Sequence, residues 1–475
     1  LIKPGQVIIP GKTPDIRPIQ MGGIWKRNVM SCTMKNYAPT TGASYKGTQV
    51  ALGINDGLAK LNYIIQINNE KDPDGSSIGM DLSDAYGSAT RLSSLKEINR
   101  DDSLVRDLAP YFHATLSSMP IIYGVVKRVE VIGVDETRIV RHESQEGFGQ
   151  GSPESTLGFT QVIQPDIVIM REILRKHAGE TAFCSDDGFV NGPNEVIFPA
   201  VWEFFERLEL RTALRPNLLK QQVTSNNMPK LLKYLKENPQ YQCCQIGRVD
   251  SIPEEDISTL KYGDGVGIKV VNIPLGDDKY TKAIMAKKAS KIERDLKNVT
   301  RLLSNGPADL QLAEALIVWC HKPRLWYWMQ NVPPALMTEC TRRVDKAILA
   351  AMSRITLQRF DDMNEDNVTM RRIRLPRRMH GAGIRSMEAN SKNAFVATMI
   401  KCFSSLKDRY NVTLGVEIPG FNPVLYKYLC QPKKKEEIVV IIATIVKAVE
   451  VMKVMKVMKK TKRNKKRNKL VSEIV

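Results

Sequence analysis

Short apolar runs that end beside carboxylates mark the first half of the chain. Residues 77–82 form one such run, which contains Asp81 near its end, and residues 181–184 form another, directly before Ser185, Asp186 and Asp187. Runs of four to six such residues bounded by turn-forming residues are typical of buried strands. The pattern therefore predicts two strands that each end at carboxylates.

Helical spacing of apolar positions dominates elsewhere. The predicted helices cover residues 50–67, 156–177, 279–304, 308–330, 334–356 and 387–407. Apolar alternation on both sides of Gly133 and Asp135 predicts a hairpin over residues 125–141. The chain is thus predicted to form a mixed lobe of helices and strands, followed by a helical lobe from residue 279 onwards.

Charge is concentrated at the C-terminal end. The 475 residues contain 70 Lys and Arg against 51 Asp and Glu, a net charge of +19, and residues 431–475 alone contain 14 basic and 4 acidic residues. A net positive charge favours a polyanionic partner. We interpret residues 431–475 as a basic low-complexity tail: a nuclear-import segment, a nonspecific RNA-binding segment, or repetitive sequence without a selected role.

Composition excludes several classes of protein. With 43% hydrophobic residues the chain is not disordered, and eight Cys without CxxC spacing beside five His argue against a zinc finger. Dispersed cysteines without a signal peptide indicate an intracellular protein, in the nucleus or cytoplasm. The longest apolar run, 438–446, is too short to span a membrane. Because the chain begins at Leu1 rather than Met, we expect that its true N-terminus is missing.

The carboxylates at the two strand ends suggest a shared metal site. Mg²⁺ prefers hard oxygen ligands, and two ions held roughly 3.5–4 Å apart can bind the attacking and leaving oxygens of a phosphoryl transfer. Asp81, Asp186 and Asp187 are therefore candidate ligands for two Mg²⁺ ions, with Mn²⁺ as an alternative metal.

Three motifs in a fixed order make this prediction more specific. Residues 81–86 read DLSDAY, residues 147–155 read GFGQGSPES, and residues 185–188 read SDDG. In this order they resemble the reverse transcriptase domain of non-LTR-type eukaryotic retroelements, over about residues 9–400. The resemblance implies an α+β right-hand polymerase fold with fingers, a palm whose antiparallel sheet packs on helices, and a helical thumb.

The same resemblance implies a division of the chain. It predicts fingers truncated at the N-terminus over 1–75, a palm with interleaved fingers over 76–265, a primer-grip hairpin and helical thumb over 266–360, a C-terminal helical extension over 361–430, and the tail over 431–475. The implied partners are an RNA template, a DNA primer and dNTPs.

The resemblance also assigns roles to individual residues. Asp81 and Asp186 would bind both metals with help from Asp187, and Tyr86 would lie under the incoming sugar and exclude a 2′-hydroxyl. The remaining candidates are nucleotide-binding Arg17, Arg27, Gln150 and Gly151, and Lys220 as the group that protonates the leaving pyrophosphate. For Arg17, Arg27 and Lys220 a solvated surface charge is the alternative.

Two positions qualify this picture. The family places an aromatic residue where this chain has Cys184, and the neighbouring Phe183 is expected to point to the opposite face of its strand. Asp84 is expected to be a polar residue at a strand-to-helix turn rather than a ligand.

Three functions stay open: an RNA-directed DNA polymerase, a decayed or domesticated relative that binds RNA or RNA–DNA hybrid, and an RNA-templated RNA polymerase, which Tyr86 disfavours.

An aromatic cluster lies in the helical lobe. It consists of Trp319, Trp326, Tyr327 and Trp328. Aromatic residues at helical spacing are more often core than ligand-binding, so we predict core packing, with stacking on bases as the alternative.

Overall fold

A computed structural model describes residues 24–45, 47–116, 121–129, 135–143, 146–149, 152–301, 307–358, 360 and 367–410. The chain divides into two compact units, residues 1–291 and 292–475. Arg17, Gln150 and Gly151, together with the tail, lie outside the described residues. The division into fingers, palm, thumb, extension and tail stays a prediction.

The first unit mixes helices and strands. In chain order it contains α1 (Ile24–Ser44), α2 (Gly57–Lys71), β1 (Ser76–Met80), α3 (Ala85–Ser88), α4 (Arg91–Ile98), α5 (Ala109–Leu116), β2 (Ile121–Val129), β3 (Asp135–Glu143), α6 (Ser155–Arg175), β4 (Glu180–Cys184), β5 (Asp187–Gly192), α7 (Asn194–Thr212), β6 (Gln222–Ser225), α8 (Met228–Glu237), β7 (Gln245–Ile246), β8 (Gly267–Val270) and β9 (Ile273–Gly276).

A five-stranded sheet forms the centre of this unit. Its strand order is β4-β5-β1-β6-β7, and all neighbours are antiparallel except the pair β6 and β7. Ile78 of β1, Phe159 of α6 and Phe198 of α7 are fully buried in one hydrophobic cluster, so the two long helices pack on the sheet. The predicted mixture of helix and sheet is confirmed, and the hairpins β2–β3 and β8–β9 are separate from this sheet.

Two predicted helices differ from the structure. The helix predicted from residue 50 begins at Gly57, because the residues Thr48–Val50 instead run parallel to β4. The Phe183 N–H donates to the Thr48 carbonyl, and the Val50 N–H donates to the Phe183 carbonyl, each at 2.8 Å. The helix predicted over 308–330 is divided by a π turn and a 3₁₀ turn over 316–325. Pro323 lies in that stretch and has no N–H to continue an α-helix.

Helices make up the described part of the second unit. They are the end of α9 (Asp278–Thr300), then α10 (Pro307–Ala315), α11 (Trp326–Asn331), α12 (Pro334–Thr356), α13 (Val368–Arg374) and α14 (Met387–Tyr410). The buried Asp345 carboxylate of α12 accepts the N–H groups of Met387 and Glu388 at the start of α14, which satisfies donors that a helix terminus leaves unpaired. Among the described residues, no helix is long and apolar enough to cross a membrane.

The aromatic cluster departs from its prediction. Trp319 is 66% exposed and Trp326 is 49% exposed, so core packing is wrong for both residues. Tyr327 and Trp328 are partly buried and contact each other edge to face at 5.8 Å. Helical spacing alone does not show whether a neighbouring element buries an aromatic side chain, and Trp319 stays largely exposed although the Arg377 guanidinium lies 5.7 Å from its ring centroid.

Asp277 holds the loop before β8 against the start of α9. Its buried carboxylate accepts four backbone N–H groups, those of Gly263, Gly265, Val266 and Tyr280, at 2.7 to 2.9 Å.

We predict that Asp277→Ala lowers the free energy of unfolding by about 3 kcal/mol, because these donors lose a charged acceptor. Urea denaturation measures this change. The exposed neighbour Asp278 is the control: Asp278→Ala should cost less than about 1 kcal/mol, and equal losses would contradict the assignment.

Candidate active site

Strand pairing brings the predicted carboxylates to one edge of the sheet. Met80, the last residue of β1, pairs with Gly188 of β5 in the antiparallel register. Asp81 therefore follows β1 at the edge of the sheet where Asp187 begins β5. Cys184 pairs with Asp187 across the β4–β5 hairpin, which leaves Ser185 and Asp186 as a two-residue turn. Two runs separated by about one hundred residues in sequence therefore end side by side.

The Gln49 side chain binds both sides of the Ser185 peptide. Its Nε2 donates to the Ser185 carbonyl and its Oε1 accepts the Ser185 N–H, each at 2.9 Å. Gln49 is fully buried, and Ser185 has a φ of +62°, in the left-handed region that costs energy for residues other than glycine. The two hydrogen bonds offset this cost and fix the turn that carries Asp186.

Sequence analysis missed Gln49. Gln49 directly precedes the helix that the apolar pattern predicts from residue 50, and its partner is 136 positions away. No local signal marks its hydrogen-bonding role, because the residues before it, Lys46, Gly47 and Thr48, are not apolar either.

Tyr86 contacts the same turn through its hydroxyl group. Its hydroxyl lies 2.5 Å from the Ser185 hydroxyl and 3.3 Å from that of Thr156, and its ring stacks on Phe159 with centroids 4.7 Å apart. Burial raises the pKa of Tyr86 above its usual value, partly offset by the hydrogen bond to Ser185. The residue is therefore a neutral, half-buried tyrosine that connects α3 to the β4–β5 turn.

The start of the 147–155 motif packs beside Tyr86. The Phe148 N–H donates to the Tyr86 carbonyl at 2.7 Å, and the Gly147 N–H donates to the Ala89 carbonyl at 3.1 Å. Gly147 has a φ of +78°, and a Cβ there would lie 2.3 Å from the Gly87 carbonyl oxygen. The glycine is required by this close approach.

Lys220 lies next to Asp81, as its predicted role requires. Its Nζ is 3.7 Å from the Asp81 Oδ2, while the Gln221 Nε2 donates to the Asp81 backbone carbonyl at 2.7 Å. The Lys220 side chain is 58% exposed, so it reaches the carboxylate from solvent. The structure thus places this lysine at the site, and its role in chemistry stays a prediction.

The donor chemistry of Asp81 fits a divalent cation. Its Oδ2 is buried without a hydrogen bond among the described residues, and the cation that faces it is the largely exposed Lys220 ammonium at 3.7 Å. A buried anionic oxygen is costly unless a cation compensates it, and carboxylates such as those of Asp81, Asp186 and Asp187 are the hard oxygen ligands that Mg²⁺ prefers. Within the described residues, no group of three or more His, Cys, Asp or Glu side chains is arranged to hold a metal ion.

Two further positions considered in the sequence are exposed. Arg27 lies on α1 with its side chain exposed. Asp84 is exposed at the N-terminus of α3 with a φ of +41°, which matches its expected place at a strand-to-helix turn.

Cys184 and Phe183 lie on opposite faces of β4, as expected. Phe183 is 1% exposed and packs against Phe204 with ring centroids 5.7 Å apart, so it cannot replace an aromatic side chain at the position of Cys184. Burial raises the pKa of the Cys184 thiol to about 12, with further contributions from Asp187 and Asp186. A neutral thiol therefore stands beside the carboxylates.

Comparisons with known proteins give limited information. No protein-family model matches the sequence, and no curated protein matches it significantly. Among solved structures, the chain is similar to telomerase from Candida albicans in complex with a TWJ fragment of telomeric RNA, at 9% identity and a TM-score of 0.29 over 81% of this chain and 55% of that one.

Two structures of telomerase from Candida tropicalis are also similar. The apo form has 10% identity and a TM-score of 0.32 over 81% of this chain and 60% of that one, and the complex with the TWJ RNA fragment has 10% identity and a TM-score of 0.34 over 82% and 57%. The chain thus spans less than two thirds of the telomerase chains that it matches. TM-scores this low do not show a shared fold, so the function has to be inferred from the residues of the site.

Removing the Gln49 amide should loosen the Ser185 turn. In Gln49→Met a side chain of similar length loses both hydrogen bonds, so we predict a loss of about 1–3 kcal/mol in the free energy of unfolding and faster amide hydrogen exchange at Ser185. The matched control is Gln240→Met, which removes an exposed amide. Unchanged exchange at Ser185 in Gln49→Met would contradict the role assigned to this residue.

The Cys184 thiol should resist alkylation. Since its folded pKa of about 12 exceeds the unfolded value of 9.0, its proton stabilises the folded state below about pH 9, and this stabilisation decreases as the pH rises towards 12. At about pH 9 we predict that iodoacetamide modifies Cys184 at least about tenfold more slowly than the exposed Cys243, because the thiolate is the nucleophile. Mass spectrometry of the alkylated peptides measures both rates, and comparable rates would refute the prediction.

Proposed function

We propose that this chain is an RNA-directed DNA polymerase of a retrotransposon, of the non-LTR type that its motifs resemble. The observation that carries the proposal is the pairing of β1 with β5: β1 ends at Met80, which pairs with Gly188, so Asp81 follows β1 at the edge of the sheet where Asp186 and Asp187 come directly before Gly188. Phosphoryl transfer needs rigidly placed carboxylates more than it needs covalent chemistry from the protein, and strand ends in a packed sheet supply that rigidity.

Asp81, Asp186 and Asp187 would hold two Mg²⁺ ions at this edge. When bound, the ions would lower the pKa of the primer 3′-hydroxyl and stabilise the charge that develops on the transferred phosphoryl group. The chain itself positions these ligands: Gln49 and Tyr86 bind Ser185, and Gln221 binds the backbone of Asp81. Lys220, whose ammonium lies 3.7 Å from the Asp81 Oδ2, would deliver a proton to the leaving pyrophosphate.

Tyr86 supports deoxynucleotides as substrates. Its ring is held on Phe159 and its hydroxyl on Ser185, so the side chain cannot turn away without breaking both contacts. A fixed ring beside the carboxylates would exclude a sugar that carries a 2′-hydroxyl. Arg17, Gln150 and Gly151 remain proposed nucleotide contacts outside the described residues, and Arg27 remains one on α1.

Cys184 favours a second candidate, a relative that keeps the fold and binds RNA or RNA–DNA hybrid without extending a primer. The buried thiol stands where the family has an aromatic residue near the primer end. A small side chain there leaves less surface to hold the primer terminus, whereas the three carboxylates are retained. An RNA-templated RNA polymerase would use the same carboxylates but would have to accommodate a 2′-hydroxyl beside Tyr86.

Primer extension tests the proposal. The full chain is mixed with a DNA primer on an RNA template, Mg²⁺ and either dNTPs or rNTPs, and the extended products are separated on a gel. We expect extension with dNTPs only, and a loss of at least about a hundredfold in Asp186→Asn, because a metal ligand contributes several kcal/mol to the transition state. Tyr86→Ala should allow incorporation of rNTPs.

The exposed Asp278 supplies the control, because Asp278→Asn removes an equal charge from the start of α9 and should leave extension unchanged. No extension by the intact chain, with hybrid binding preserved, would support the binding protein. Extension with rNTPs by the unmodified chain would support the RNA polymerase.

A further inference from the structure

Trp319 lies on the second unit with a cation above its ring. The side chain is 66% exposed, and the Arg377 guanidinium is 5.7 Å from the ring centroid. An exposed tryptophan has a flat apolar surface that water hydrates poorly, and Arg over its face restricts both side chains to one arrangement. This pair resembles the stacking platforms on which proteins bind unpaired bases.

The arginine belongs to a folded basic segment. Residues 371–385 contain six Arg and one His and no acidic residue. The segment turns back on itself, since the Gly383 N–H donates to the Leu375 carbonyl at 2.8 Å and the Ile384 N–H donates to the Ile373 carbonyl at 3.1 Å. Five of its arginines are exposed, namely Arg371, Arg372, Arg377, Arg378 and Arg385. Their charges are therefore presented by an ordered loop.

Lys322 joins the aromatic and basic parts. Its Nζ donates to the Gly383 carbonyl at 2.7 Å, which attaches the basic segment to the turn that follows Trp319. Burial and the nearby Arg385 and Arg377 lower the pKa of Lys322, as expected where cations repel one another. We call Trp319, Lys322, Arg377 and Arg385 the Arg–Trp surface.

Acidic groups compensate only part of this charge. Glu314 accepts a hydrogen bond from Arg377 at 2.6 Å, and Glu388 is paired with Arg342 at 3.0 Å. Asp345 is buried and its carboxylate is used by Ser386 and by the start of α14. A surplus of positive charge therefore remains around Trp319, and an anion would relieve the repulsion that depresses the pKa of Lys322.

We propose that the Arg–Trp surface binds single-stranded nucleic acid, with a base stacked at Trp319 and adjacent phosphates bound by Arg377, Arg385 and Lys322. Phosphates require cations of this kind, and stacking on a side chain requires bases that are not already paired in a duplex. The surface is independent of the carboxylates of the first unit. Its binding needs neither metal nor nucleotide, so the proposal holds whether or not the chain is a polymerase.

Fluorescence anisotropy with the full chain tests this surface. The probes are a labelled unstructured single-stranded RNA, a DNA of the same sequence, and the RNA paired with its complement, all measured without divalent cations or nucleotides. Trp319→Ala should weaken binding of the single strands about tenfold and leave the duplex unchanged, whereas Trp319→Phe should retain most of the affinity because it keeps a stacking ring. Trp326→Ala removes another exposed tryptophan of the same unit and should have no effect.

Salt dependence separates stacking from charge. The double variant Arg377→Gln and Arg385→Gln should reduce the slope of log affinity against log salt by about 1.4, since each phosphate contact on a single strand contributes about 0.7, whereas Trp319→Ala should leave the slope unchanged. Glu314→Gln should tighten binding, because it frees the Arg377 charge. Lys233→Gln with Lys236→Gln removes two exposed cations of the first unit as the charge-matched control.

The relative affinities for the RNA and DNA single strands identify which kind of strand the surface binds. A preference for RNA over DNA identifies an RNA strand, and equal affinities identify single strands in general; both support the proposal. Unchanged single-strand binding in Trp319→Ala, or an equal loss on single strands and duplex, would overturn it. The Tm of each variant is measured beside the titrations. If Trp319→Ala has a lowered Tm, the single-strand affinities of Trp319→Phe, which keeps a stacking ring, and Trp319→Gln, which does not, are compared instead.

Discussion

The Ser185 turn is the constraint on which the candidate site depends. A two-residue connection joins β4 to β5 with Ser185 in a left-handed conformation, and partners outside the hairpin hold Ser185 there. Gln49 supplies a donor and an acceptor from inside the fold, and Tyr86 adds a hydroxyl contact. Because Asp186 belongs to this turn and Asp187 starts the next strand, the direction of both carboxylates follows from the peptide that Gln49 holds.

Short apolar runs were sufficient to predict the strand ends that carry the carboxylates. Such runs are confined by buried neighbours on both faces, so their length and their polar ends are visible in the sequence. Apolar alternation also predicts the hairpin β2–β3, the family resemblance predicts the hairpin β8–β9, and helical spacing predicts most of the long helices. In these elements the paired strands are close in sequence, or the amphipathic pattern of a helix repeats over many residues.

Gln49 and Trp319 could not be predicted in the same way. The role of Gln49 depends on a partner across the fold, and a segment that pairs with β4 in only three residues has no period to detect. The exposure of Trp319 depends on whether another element covers it, which helical spacing does not encode. The resemblance does name Lys220 as a candidate, but its approach to Asp81 depends on the short turn at Leu218–Lys220, which the apolar pattern does not predict.

The strand order has a consequence for the way the protein is synthesised. β1 is central in the sheet, but its two neighbours, β5 and β6, are synthesised more than one hundred residues later. Ser185 is likewise synthesised more than one hundred residues after Gln49, its hydrogen-bond partner. Contacts of this separation form late, after most of the loop-closure entropy has been overcome. A nascent chain that stops before β5 would therefore contain Asp81 at the end of an unpaired strand, without Asp186 and Asp187, so the acidic edge is completed only after the β4–β5 hairpin has been synthesised.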